Sequence, residues 1–565
     1  MAIGKRTFQS AGQISQHLIP GAYSRIDSIK GTSGLVPANN GVLMGQCEGG
    51  QPNTLLQFNS VSEAVNTLKK GPLMEAVRQA FNPGNDLTPQ RLFAMRVNSA
   101  VAATLNLKNV GSQNLVLITS RDWGLAQNQI NLKMEAGTTG KKITINYKTA
   151  QEIFDNIIRN SIVITHATAT VTIVNNSAAH TLTLSVGPVA IDLATYRTIG
   201  DLAAYINNQA GYTAAVVAGQ ENADTWELDS VSAISLTGGY TAQSTMEAII
   251  DTLTNQSLYV KAAANNGANN REIPQNIALT YLTSGTEGAY TSTEWTNALI
   301  ALEAESIQFI STPDNSGTVH AAIKAHCMAM NAVTGRKERQ FLVGGVWGTV
   351  VATAKSNAIA LNEKSGLYVF NGYTQYDNNL VIQNFDAAYM ACLLLGMKVA
   401  GAINLPLTAK QVNVISLEDK LTDSELEQLI ENGVCPINYN ASGLPEVIRQ
   451  VNTYQVDDLK FNEFSMVTEM FYISRDLRAY VESLYKGKAG NTINIGVVKG
   501  AVEVKLTQYT DLGLLTRDKE GISYWAVQIS IVGDSIYVDY DANITAPINF
   551  QFVTQHFHEL VSVAA

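Results

Sequence analysis

Charge is what this chain has least of. Only 15% of its 565 residues are Asp, Glu, Lys or Arg, against about 25% in ordinary soluble domains. The apolar share, 46%, is that of a folded protein. Asn, Thr, Gln and Ala fill the gap, and a polar surface with few charges suits a protein that packs against copies of itself. The formal net charge of −10 argues against a general nucleic-acid binder. The doublets Lys69-Lys70 and Lys141-Lys142 are too short to track a phosphate backbone. Cysteine is scarce: Cys47, Cys327, Cys392 and Cys435 are scattered without C-x-x-C spacing. They read as small buried hydrophobes kept in a reducing cytoplasm. Long apolar runs are missing too. The longest, Ala387 to Met397, is bounded by Asp386 and Lys398 and falls short of the ~20 residues of a membrane span, so a buried helix is expected there. MAIGKRTFQSAGQ, the opening, has no apolar signal-peptide core. Neither membrane insertion nor export is expected.

Chemistry is equally hard to find. GTTGKK at 137–142 would need its first glycine at Glu135 to make a phosphate loop, and Lys142 stands where Ser or Thr should bind magnesium. A β-turn is expected instead. GTSG at 31–34 superficially resembles a protease nucleophile segment but has no triad partners in order, so it reads as a loop. His556 and His558 share a strand face without further ligands nearby. His326 and Cys327, adjacent on a helix, point about 100° apart and read as core. Asp457-Asp458 and Asp539 with Asp541 read as solvated turns. No catalytic residue, cofactor or metal is expected.

Such a length exceeds one hydrophobic core, so several domains are expected. Residues 1–20 are polar and irregular and read as an arm or a frayed terminus. From Gly41 to Val97 the pattern is strand, Gly-rich turn, helix, Gly-Pro break, helix, strand. Ser60 and Glu63 make a possible capping box, Gly71-Pro72 interrupts, and Leu73, Val77 and Phe81 mark a buried stripe. Alternating Thr/Val/Ile runs then dominate from about 115 to 260, with one good helix from Thr198 to Gln209. Helices and buried strands alternate from about 275 to 430, pointing to a mostly parallel sheet covered on both faces. Thr291/Glu294 and Thr422/Glu425 cap two of these helices. Near the end come helices at 475–486 and about 493–510, then a strand with Trp525, Val527, Ile529 and Ile531 on one face and another at Ile536 to Tyr540. A period-two tail carries Ile548, Phe550 and Phe552.

In order, Pro20-Gly21 with Tyr23, Gly45 to Gly50, Phe58, Gly71-Pro72-Leu73, Phe81 and Arg96-Val97 resemble the opening of contractile tail sheath proteins of bacteriophages. SRDWGLAQNQINLKME at 120–135, the stretch 281–313 and RDLRAYVESLYKG at 475–487 extend the resemblance to most of the chain except roughly 150–270. It implies an α/β and β multidomain fold: an N-terminal arm (1–20), an N-terminal α/β sheath segment (21–114), a β-rich inserted domain on the outer surface (115–270), a subtilisin-like α/β domain without protease function (271–430), a C-terminal sheath domain (431–547) and a C-terminal arm (548–565). The implied role is structural, not enzymatic. Subunits would form stacked hexameric rings around a tail tube and contract to drive it through the host envelope for genome ejection. Tube, baseplate and tail terminator proteins would be partners, and the virion tail, assembled in the host cytoplasm, the location. Lys499, Glu503 and Lys505 are the expected exposed tube contacts, and Ile548, Phe550, Phe552 and Phe557 the expected inter-subunit anchors. A tailocin or other contractile injection sheath is an alternative, as is, in a different class, a self-assembling surface-array protein.

Overall fold

The computed structural model describes residues 39–176, 178–265, 271–488, 493–551 and 554–556, with the backbone of 6–10 and 13–17. Pro20-Gly21, Tyr23 and GTSG at 31–34 lie outside the described residues. Arg6–Ser10 pairs antiparallel with Gln13–His17, so the stretch read as irregular contains a local hairpin.

Seven strands build the main sheet. Their spatial order is Val434–Cys435, Gly366–Val369, Gln340–Gly344, Phe309–Ser311, Gly41–Gly45, Leu92–Arg96 and Leu55–Phe58. Every pair is parallel except the last, where Leu55–Phe58 runs antiparallel to Leu92–Arg96. Successive side chains point to opposite faces, and the two cores follow that alternation. Leu43, Leu342 and Leu367 belong to one core, with helices Val61–Leu68, Pro72–Ala80 and Ala387–Ala400. Val42, Met44, Phe341 and Tyr368 belong to the other, with Ser292–Glu303, Gly317–Asn331, Val351–Leu361 and Asp423–Glu431. Ala387–Ala400 is the expected buried helix: from Ala387 to Lys398 every residue is buried except Tyr389, which is half-buried. It crosses Pro72–Ala80 so closely that a Cβ on Gly396 would lie 1.9 Å from the Ala80 carbonyl oxygen, which only glycine permits. Among the described residues, no helix is long and apolar enough to cross a membrane.

This sheet corrects two expected boundaries. The segments 21–114 and 271–430, read as separate, share it, because Gly41–Gly45 pairs with Phe309–Ser311. The edge strand Val434–Cys435 and the hairpin Ile437–Tyr439/Pro445–Val447 carry the larger compact unit to Ser465, past the expected boundary at 430. Pairing between strands so distant in sequence leaves no local trace; each reads only as a short apolar run.

Between the two halves sits the inserted domain, wider than 115–270. Ala102–Lys108 opens it by pairing with Asn114–Trp123, and Ile277–Tyr281 closes it against Asn131–Ala136. It has two cores. Ile118, Leu132, Ile145 and Leu282 share one with helix Thr245–Gln256. The second, nested between Asn160 and Gln243, joins a three-stranded and a four-stranded sheet with helix Ile199–Asn207 around Ile164, Ile173 and Leu202. At the crossing, Val101 N–H donates to the Thr286 carbonyl at 2.9 Å. Beside it the fully buried Arg96 pairs with Glu287 at 2.5 Å and donates to the Gly50 carbonyl and the Asn98 Oδ1, each at 3.1 Å.

Candidate assembly surfaces

The second compact unit holds Met466–Pro547. Helix Phe464–Tyr485 runs into it, beginning well before the expected 475, and helix Ile495–Asp511 follows, N-capped by Asn494. Val498, Val502, Lys505 and Tyr509 are its buried stripe, spaced by four, three and four as an inward helix face requires. Lys505 therefore falls on the core side and is only 4% exposed. That corrects its expected role as an exposed contact. Its Nζ donates to Asp476 Oδ2 at 2.9 Å, and Tyr509 donates its phenol proton to the same oxygen at 2.8 Å. Burial and that hydrogen bond push the Tyr509 phenol pKa well up. Lys499 and Glu503 do face outward, 3.9 Å apart, flanked by exposed Val497 and Val504.

Strands Tyr524–Val532 and Ser535–Ala542 form an antiparallel hairpin. The expected four-residue face is broken by a bulge between Trp525 and Gln528, where Ala526 has φ +53°. Trp525 is left 44% exposed while Val527 is buried. Asp539 and Asp541, read as turn residues, lie on the exposed side of the second strand.

Beyond Pro547 the described chain has no strand. Ile548 is 83% and Phe550 65% exposed, whereas the half-buried Asn549 turns inward and donates to Glu463 Oε1 at 2.9 Å. Phe552, Phe557 and His558 lie outside the described residues; His556 is exposed.

The chemical candidates resolve into structure. His326 and Cys327 are both buried; burial and the Arg339 guanidinium, 2.6 Å from His326 Nε2, push the imidazole down to about 4. Burial pushes the Cys327 thiol up to about 12, so neither takes the ionisation state of a thiolate–imidazolium pair at neutral pH. All four cysteines are buried and free. The GTTG of GTTGKK, 137–140, is the turn between Asn131–Ala136 and Lys141–Tyr147, closed by Gly137 N–H on the Gly140 carbonyl at 3.1 Å, and its two lysines open the second strand. Asp458 caps the short helix Leu459–Asn462. Among the described residues, no three His, Cys, Asp or Glu side chains converge to hold a metal ion. Sequence reading missed Asp476, Arg449, Glu463 and Asn549. Only Asp476 left a signal, as a carboxylate between the apolar Ile473 and Leu477 of one helix.

The family profile described as phage tail sheath protein central domain matches residues 288–453. That segment starts where the chain re-enters the main sheet after the insertion and carries four of its seven strands. Resemblance to the phage tail sheath class extends over nearly the whole chain. The tail sheath protein of Bacillus phage SP01 is 24% identical over 566 residues, covering 95% of each chain. That of Staphylococcus phage Twort is 23% identical, covering 85% of this chain and 86% of its own. The fold is shared with the sheath tail protein Lin1278 of Listeria innocua, at a TM-score of 0.54 and 14% identity over 88% of this chain and 89% of that one.

Proposed function

We propose that this chain is the structural subunit of a contractile tail sheath. It polymerises in rings around an inner tube in a metastable extended state, and contraction drives the tube through the host envelope. The observation that carries the proposal is the similarity to phage tail sheath proteins from end to end. The main α/β sheet is then the subtilisin-like sheath core. Lys499 and Glu503 are the remaining tube-facing candidates, without Lys505. An exposed ion pair is worth about 0–1 kcal/mol, weak enough to break when the sleeve slides along its tube.

Ile548 and Phe550 support a donated C-terminal arm. Two large apolar side chains so exposed near one another are a liability in an isolated subunit. In a sleeve they become anchors of β-augmentation, backbone hydrogen bonds supplying affinity and alternate side chains register. A contact from one surface to a different surface of the next copy need not close, and so generates helical assemblies. Arms joined this way let subunit bodies rotate and exchange contacts while staying linked. The loaded state persists by a kinetic barrier. The inserted domain, a side branch of the main sheet's connectivity, fits the outer surface of such a sleeve. Assembly takes place in the host cytoplasm, with tube, baseplate and terminator proteins as partners.

Negative-stain microscopy of the expressed chain is expected to show tubes or rings. A chain lacking 548–565 is expected to keep its thermal transition and lose them. Normal polymers from the truncated chain overturn the arm reading, and persistent monomers from the full chain with tube protein present overturn the sheath reading.

A further inference from the structure

The extension that starts at Ile548 is held at its root. Arg449 Nε and Nη2 lie 2.9 and 2.8 Å from Glu463 Oε1, and Glu463 is fully buried. That same oxygen accepts the Asn549 amide at 2.9 Å. One residue further, the Phe550 ring stands 5.6 Å from the Arg449 guanidinium. A single ion pair therefore engages two consecutive residues of the extension, the carboxylate through a hydrogen bond and the guanidinium through an aromatic face. Both members are fixed in the body. The Glu463 backbone forms a bridge with Val451, and Gln450, beside Arg449, donates to the Ser465 hydroxyl at 2.9 Å.

Closure is incomplete. Glu463 Oε2 and Asn549 Oδ1 are buried without a hydrogen-bond donor. Unpaired buried acceptors disfavour the closed arrangement, so the grip is shallow. Ile548, on the other side of Asn549, stays in solvent. The root is thus held through the Asn549 amide and the Phe550 ring, while Ile548 is turned to solvent.

We propose that Arg449 and Glu463 form an intramolecular latch for the C-terminal extension. Closed, it keeps Asn549 and Phe550 on their own subunit and sets the direction in which the chain departs. Open, it frees Asn549 and Phe550 from the body of the subunit. This deepens the arm reading above and rests on it for its purpose, whereas the latch itself is a property of one subunit and is tested there.

The test is limited chymotrypsin digestion of the full-length chain, taken from fractions sedimenting as single subunits, with mass spectrometry of the peptide released after Phe550. Asn549→Ala and Glu463→Gln are compared with the unmodified chain, and thermal unfolding is followed in parallel. The expected result is release roughly tenfold faster in both variants, the change that one charge-assisted hydrogen bond accounts for, with unfolding of the body unchanged in Asn549→Ala. Equal release rates for Asn549→Ala and the unmodified chain overturn the latch. Glu463 is buried, so if Glu463→Gln does not fold, Asn549→Ala alone decides. Because no polymer enters the measurement, failure of the latch and failure of the arm reading are distinguishable.

Discussion

At the scale of single residues, charge type says little until the helix face is known. Lys505 carries the same side chain as Lys499 and stands six positions away. One sits in the buried stripe with Val498, Val502 and Tyr509, the other outside it. Removing one partner of a buried ion pair leaves the other uncompensated, at a cost of about 3–5 kcal/mol. Lys505→Ala and Asp476→Asn are therefore expected to lower stability by that order in chemical denaturation followed by tryptophan fluorescence. Lys499→Ala should change it by under about 1 kcal/mol. Equal effects at 499 and 505 would show that the buried pair contributes nothing special. Asp229 supplies a pH dependence. It is 2% exposed and receives Thr245 N–H on both oxygens, at 3.1 and 2.9 Å. Burial nonetheless pushes its carboxyl up to about 6. The folded chain thus binds that proton more tightly than the unfolded chain, whose carboxyl titrates near 4. This group's contribution is most favourable below pH ~4 and declines through pH ~6, by about 3 kcal/mol in all. Asp229→Asn is expected to remove that slope from denaturation midpoints of the inserted domain between pH 4 and 7. An unchanged slope assigns the titration elsewhere.

Among elements, legibility depended on whether the signal was local. Thr291 with Glu294 and Thr422 with Glu425 are complete reciprocal capping boxes, and both were readable because all four partners lie within one turn. Ser60 forms half of such a box: its hydroxyl accepts Glu63 N–H, but the Glu63 carboxylate takes Asn59 N–H instead. Leu55–Phe58 was invisible, four residues with no alternation inside a turn-rich stretch, and its strand exists only because Leu92–Arg96 offers an edge. Helix Phe464–Tyr485 was read eleven residues short. Its first half holds Phe464, Val467, Thr468, Phe471, Tyr472 and Ile473, aromatic and β-branched residues that favour strands locally and become helical by burial. Trp525 shows the reverse failure, where a true alternation was broken by one bulged residue at Ala526.

For the whole molecule, the resemblance to tail sheath proteins is legible in the sequence and the connectivity is not. Ordered motifs carried the resemblance across the chain, whereas the main sheet is closed by parallel pairs between strands on either side of the insertion. Sequence reading saw two α/β segments where there is one layered domain interrupted by a branch. That topology makes a strong prediction. Val101 and Thr286 are antiparallel neighbours, bonded through the Val101 N–H and the Thr286 N–H, so their Cα atoms lie about 5.5 Å apart. A short Gly-Ser turn can span such a gap, leaving Arg96, Asn98 and Glu287 in place to fill the crossing. Among the described residues, neither main core draws a side chain from the insertion. Replacing 102–285 with that turn is therefore expected to give a folded chain with a cooperative thermal transition. Far-ultraviolet circular dichroism should show a higher helical share. If the branch lies outside the sleeve, the shortened chain should still form tubes, thinner in micrographs. A shortened chain that folds but no longer assembles would place inter-subunit contacts on the insertion itself. One that fails to fold would show that the main sheet depends on the branch despite having a separate core.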